Sequence, residues 1–160
     1  MGIVKQNAVI FDLDGVLFDI NWRCKLDVDF ETFMELSIRD EVIEPTARII
    51  EAYQKLNYKV FYITSRPERY RVITAEKLRR INLHYPTLYM RADDDKRISW
   101  EVKKEIYETR IKDKFNVIAA FDDNKTIINM WESFGIFTYL TKSEDCSTIK
   151  KLGLGEQEGI

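Results

Sequence analysis

Thiol and imidazole side chains are scarce in this chain. Its 160 residues include one histidine, His84, and two cysteines, Cys24 and Cys146. The cysteines are far apart and lack the spacing of a metal-ligand set, so they are expected to be free thiols in a reducing compartment. His84 precedes Tyr85-Pro86 in a connection, where a structural or surface role is expected. Long apolar runs are also absent, and none approaches the roughly 20 residues a membrane helix needs. The N-terminus lacks the charged-then-apolar pattern of a secretory signal, and Gln6 stands where a myristoylation signal needs Ser or Thr. These features lead to the expectation of a cytoplasmic protein without membrane attachment. Charge of one sign is scarce too. Lys and Arg number 25 against 27 Asp and Glu, for a net charge of -2. That balance, with a pI near 5.6, argues against a broad nucleic-acid-binding surface but leaves room for a local basic groove. There is no internal repeat, low-complexity tract or interdomain linker, and the length fits one hydrophobic core.

What is present is an alternation. Short apolar runs at Asn7–Phe11, Lys59–Ile63, Val117–Phe121 and Ile136–Leu140 read as strands, with a weaker fifth at Thr87–Met90. They are apolar on both faces, as in a parallel sheet covered by helices on both sides. Between them lie helical patterns. Pro45 opens one, with Ile49, Tyr53 and Leu56 on its buried stripe. Pro67 opens the next, carrying Tyr70, Ile73, Leu78 and Ile81. Ser99 caps a third, with Val102 and Ile106, and Ile127, Met130, Trp131 and Phe134 line a fourth that ends at Gly135. Asp19–Glu44 interrupts the alternation as a small insertion near the site mouth, with one short helix from about Asp29 to Ser37. The main domain is expected to span residues 1–141, and residues 142–160 to form a loose polar tail.

The polar residues gather at strand ends. Asp12 and Asp14 follow the first strand, Thr64, Ser65 and Arg66 the second, and Asp122, Asp123 and Asn124 another. Ligands of open α/β sheets bind at the carboxyl ends of strands, so these groups are expected to converge. Any one of them alone also reads as ordinary turn or cap chemistry.

The run Asp12-Leu13-Asp14-Gly15-Val16-Leu17 resembles the DxDG-type opening of the haloacid dehalogenase (HAD) phosphatases. Thr64 resembles their second motif, Lys103 the third and Asp122-Asp123 the acidic fourth, in the family's order. A closer resemblance is to the 3′-phosphatase domain of phage-type polynucleotide kinase. Arg23 matches an arginine that follows the first motif there, and Thr64-Ser65-Arg66 matches a Ser-Gly-Arg run. Arg91, Asp95 and Arg97 reproduce an Arg-xxx-Asp-x-Arg arrangement ahead of the lysine helix. Val102-Lys103, Glu105-Ile106, Met130-Trp131 and Gly135 continue the match. The sequence departs from that family at Ser99 and Trp100, which replace acidic residues. No GxxxxGK(S/T) phosphate loop occurs, so a kinase half is absent from this chain.

The resemblance implies a Rossmann-like three-layer HAD fold, with a central parallel sheet and a small insertion after the first motif. It implies a Mg²⁺-dependent phosphomonoesterase with Asp12 as nucleophile and Asp14 as general acid and base. Asp12, Asp122 and the backbone carbonyl of Asp14 would hold the metal. Thr64, Ser65 and Lys103 would bind phosphate, with Lys103 favoured over its neighbour Lys104. Arg23 and Arg66 are candidates to grip the substrate, against the alternative of structural ion pairs. Asp123, Arg91, Asp95 and Arg97 are supporting residues, with an internal Asp–Arg pair bracing the site. The expected substrates are phosphorylated nucleic-acid ends, with free mononucleotides as the alternative. A reading of another class is an inactive HAD-fold binding module.

Overall fold

The computed structural model describes residues 4–83, 87–142 and 146. His84 and most of the expected tail lie outside these residues. The chain begins with β1 (Gln6–Phe11), then a short β2 (Phe18–Asp19), α1 (Asn21–Cys24), α2 (Phe30–Glu35) and β3 (Glu41–Val42). There follow α3 (Glu44–Lys55), β4 (Lys59–Pro67), α4 (Arg71–Arg80), β5 (Leu88–Arg91) and α5 (Ser99–Ile106). β6 (Phe115–Asp122), α6 (Lys125–Ser133) and β7 (Phe137–Leu140) complete it. Five strands form one parallel sheet in the order β5-β4-β1-β6-β7, with β1 at its centre. Among the described residues no helix is long and apolar enough to cross a membrane.

The strands other than the exposed edge strand β7 are largely buried on both faces, and their period of two sorts the core into two layers. Val9 and Phe11 of β1 join Ala47 and Ile50 of α3 and Leu78 of α4. Ala8 and Ile10 join Tyr107 and Ile111 beyond α5 and Ile127, Met130 and Trp131 of α6. Phe11, Phe121 and Tyr139 stack across three neighbouring strands with ring centroids 4.3 and 4.5 Å apart. This is the three-layer α/β fold expected.

Details differ from the sequence reading for physical reasons. On α3 the inward side is Thr46, Ala47 and Ile50, while Ile49 and Leu56 are exposed, because a stripe one residue out of phase packs on the sheet. Pro67 does not open a helix: β4 runs through it, and α4 starts only after a 3-10 turn at Glu68–Tyr70. Ser99 does not cap α5. Ile98 holds the cap position, and the Ser99 hydroxyl accepts a hydrogen bond from Arg91 instead. Asp29 is the cap of α2, accepting from the Thr32 amide at 2.7 Å. β2 and β3 pair antiparallel and close the base of the insertion.

The free-thiol expectation is corrected. Cys24, on α1, and Cys146 are joined in a disulfide. Both lie in a small apolar cluster built by the insertion around Ile20, Phe33 and Met34. A link across 122 residues leaves no local spacing signal, and with it goes the thiol argument for a reducing compartment.

Candidate active site

Strand register assembles the site. Phe11 pairs with Tyr62 on one side and Phe121 on the other, so Asp12, Ile63 and Asp122 lie at one level across the sheet. The Asp12 amide donates to the Phe121 carbonyl at 3.0 Å, extending this order one residue past β1. Gly15, with φ of +76°, then turns the chain so that its amide meets the Phe18 carbonyl. A β-carbon is disfavoured in that left-handed conformation, which accounts for glycine after Asp14.

Asp12, Asp122 and Lys103 form the centre. Lys103, wholly buried on α5, places its ammonium 3.1 Å from Asp12 Oδ1 and 2.6 Å from Asp122 Oδ2. The other Asp122 oxygen accepts the Asn124 amide at 3.1 Å, and Asn124 caps α6. Asp12, Asp122 and Asp123 each offer a carboxylate oxygen, and these oxygens lie within 4.8 Å of one another. Burial pushes the Asp12 carboxyl well above the usual carboxylate range, with Asp122, Asp123 and Asp14 adding to the rise against the pull of Lys103. Burial opposes the Lys103 ammonium, but Asp12 and Asp122 outweigh it and hold it charged. Three acidic groups share one ammonium, so Asp12 ionises against its neighbours unless a further cation offsets them. Oxygen donors so grouped suit a hard divalent cation.

Asp14 lies on a second cluster. Arg66 Nε and Nη2 grip its two oxygens at 2.8 and 2.6 Å, and Arg23 Nη2 adds a third contact at 2.8 Å. Burial raises its pKa, but Arg66, Arg23 and Lys77 prevail and hold Asp14 far below the usual range. Its carboxylate therefore faces arginines, and the third carboxylate of the acidic group is Asp123. Behind it Asp40 takes Arg23 at 2.8 and 3.0 Å, Lys77 at 2.8 Å and the Trp22 indole at 3.0 Å. Ser37 and Thr74 accept from Arg66 Nη1. Asp40, Lys77, Ser37 and Thr74 were invisible in the sequence, because each reaches the site only through long-range contacts. The one available signal was the polar inward face of α4.

A cavity of about 210 Å³ opens above these groups, lined by Asp12, Asp14, Thr64, Ser65, Arg66 and Lys103 among others. The buried Ser65 hydroxyl has no hydrogen-bond partner among the described residues. Arg66 reaches the cavity. Arg23 is wholly buried, is not among the residues of the cavity wall, and contacts Asp14 from behind, as the structural ion-pair alternative describes. Arg91 also lines the cavity, and it braces the loops through carbonyls of Ser65 at 3.1 Å and Asp95 at 3.2 Å. The expected Asp–Arg pair is Asp95 with Arg97 at 2.6 Å, off the cavity wall, where Arg97 also meets Glu105. Lys104 contributes no contact to the centre; Lys103 does.

A family model described as the polynucleotide kinase PNKP phosphatase domain matches residues 6–145. The chain belongs to that family. It is a HAD-type phosphatase domain, a phosphoric monoester hydrolase by family. A structure titled "Structure of Pnkp1/Rnl/Hen1 complex" is 27% identical with a TM-score of 0.78, covering 88% of this chain and 47% of that one. A protein of Autographa californica nuclear polyhedrosis virus, described as a bifunctional polynucleotide kinase/RNA ligase, is 34% identical over 58 residues. That match covers 36% of this chain and 8% of the viral protein. A class C acid phosphatase from Bacillus anthracis shares the fold at 14% identity, with a TM-score of 0.63 over 92% of this chain and 69% of its own. This PNKP-type domain thus spans less than half the length of the first two relatives.

Proposed function

We propose that this PNKP-type domain removes 3′-phosphates from nucleic-acid ends by way of an aspartyl-phosphate on Asp12. The observation that carries the reading is the Lys103 ammonium shared by Asp12 and Asp122 at the floor of the cavity. A carboxylate held beside a fixed cation is placed to attack phosphorus while the same cation meets the phosphoryl oxygens. Thr64 and the unpartnered Ser65 hydroxyl supply neutral donors to those oxygens. The family and the Pnkp1 structure, of which one version is titled an RNA repair complex, support a nucleic-acid end as the substrate.

In the first step an Asp12 oxygen bonds to phosphorus and the bond to the sugar 3′ oxygen breaks. Asp14 protonates that departing oxygen. In the second step Asp14 takes a proton from water, whose oxygen attacks phosphorus and releases inorganic phosphate and free Asp12. Asp14 is ionised while both arginines hold it. The first step therefore needs the substrate's phosphate to take over part of the Arg66 contact, which lets Asp14 carry a proton. Mg²⁺ held by Asp12, Asp122 and the Asp14 backbone carbonyl, beside Asp123, would offset the charge of a dianionic phosphate.

A substrate panel tests the reading. With Mg²⁺, a 3′-phosphorylated oligonucleotide should be hydrolysed with higher kcat/KM than 3′- and 5′-mononucleotides or a sugar phosphate. EDTA should stop turnover and Mg²⁺ restore it. Preference for the sugar phosphate would overturn the nucleic-acid assignment, and full activity in EDTA the metal assignment.

A further inference from the structure

The cavity has two chemically unlike walls. One carries the charged and hydroxyl groups that handle phosphate. The other is carbon: Ile20, Phe30, Phe33 and Met34 from one cluster of the insertion, with Pro67 and Ile127 the other apolar lining residues. A phosphoryl group gains nothing from such a wall, so it must face the other part of the substrate. Phe33 and Met34 are buried and close the core of the insertion, but Phe30 is only half-buried. Its ring is nevertheless held in place. Tyr70 meets it edge-to-face at 5.9 Å and 89°, and the Arg69 guanidinium lies over it, 5.6 Å from its centroid, which leaves the opposite face for a ligand. Arg69 is itself set against the Tyr70 ring at 4.9 Å and paired with Asp93 at 3.6 Å. A positioned, half-open aromatic ring at the rim of a phosphate site suits a flat, apolar-faced group attached to that phosphate through a sugar. Every nucleobase has such a face, and stacking on an aromatic side chain is tolerant of base identity.

We propose that Phe30 is the stacking platform for the terminal nucleobase, so that the end is recognised by its last base as well as by its phosphate. This rests on the proposed function and adds to it a base-reading subsite supplied by the insertion. The experiment compares kcat/KM on three substrates: a 3′-phosphorylated oligonucleotide with an intact terminal base, the same oligonucleotide with an abasic 3′-phosphate end, and glycerol phosphate. The wild-type protein should favour the base-bearing end over the abasic one. Phe30→Ala should reduce that ratio about tenfold, mainly through KM, the usual scale of one base stacked on a ring. Phe30→Leu keeps apolar bulk without a π face and should lose the ratio too, whereas Phe30→Tyr should keep it. Melting temperatures measured alongside separate loss of fold from loss of stacking, because the ratio is internal to each variant. If wild-type protein prefers both oligonucleotides to glycerol phosphate and Phe30→Leu keeps the base-to-abasic ratio, the subsite is wrong and the phosphatase reading stands. If glycerol phosphate is hydrolysed as well as the oligonucleotides, the nucleic-acid reading fails and the subsite with it.

Discussion

Two arginines claim the carboxylate of Asp14 before any substrate is present, and this arrangement makes separable forecasts for each side chain. Arg66 lines the cavity. Arg66→Ala should cost about 1.5–3 kcal/mol in transition-state binding, the scale of a charged hydrogen bond. Arg66→Lys should recover only part, because an ammonium cannot reproduce the two-pronged grip on Asp14. A lysine variant with wild-type kcat/KM would sink the role assigned to the planar fork. Asp14→Asn should slow turnover of a 3′-phosphate end severely, while Asp12 can still take up phosphate from an aryl phosphate, whose leaving group needs no proton. Lys77 makes a forecast in pH. Burial first and the nearby Arg66 second lower its ammonium to about 7, against partial support from Asp14 and Asp40. The unfolded chain keeps an ordinary lysine near 10.5, so between pH 7 and 10.5 it binds more protons than the folded one. Stability from this group therefore rises with pH across that window, and the penalty for burying the charge is fullest below pH 7. The change in melting temperature caused by Lys77→Met should be most favourable at pH 6 and less favourable by pH 9. An advantage that grows with pH would contradict the assignment.

At the scale of elements, the insertion holds the charged cluster in place. Asp40 lies between the 3-10 turn after α2 and β3, yet its carboxylate collects Arg23 from α1 and Lys77 from α4. Asp40→Ala would leave Arg23 and Lys77 short of their buried anion, and should cost about 3–5 kcal/mol of stability. Denaturant unfolding checks this, and a change under 1 kcal/mol would show that the cluster relaxes without it. These contacts also explain what could and could not be read from sequence. Asp12 and Asp122 were legible because they stand at the ends of β1 and β6, and Thr64 because it lies on the neighbouring β4, whereas Lys103, on α5, was legible only through the family resemblance. Arg23 was legible as important but not as buried, since nothing local ties it to Asp40. Thr74 and Lys77 sit on the inward face of α4 where an apolar stripe was expected, so that helix pattern was only partly visible. Ser99 looked like a cap because serine at a helix start usually is one. Here Arg91 uses its hydroxyl instead.

Across the whole molecule, the central place of β1 is what turns a sequence motif into a site. Both neighbours of β1 deliver their own polar groups beside Asp12, α5 adds Lys103 from one layer, and α4 with the insertion packs Lys77, Thr74, Asp40 and Arg23 around Arg66 of β4 from the other. The parallel sheet was legible from four apolar runs and a weaker fifth. The disulfide and the two-stranded base of the insertion were not, because pairs of short segments carry no periodic signal. The central claim is that phosphate passes through Asp12. It is tested most directly by incubating the Asp14→Asn protein with p-nitrophenyl phosphate, whose leaving group departs without a proton, and Mg²⁺, quenching in acid, and mapping the adduct by peptide mass spectrometry. The account predicts one phosphoryl group on the peptide carrying Asp12, with none in the Asp12→Asn, Asp14→Asn double variant. A phosphoryl group on another residue, or undiminished phosphatase activity in a folded Asp12→Asn protein, would contradict it.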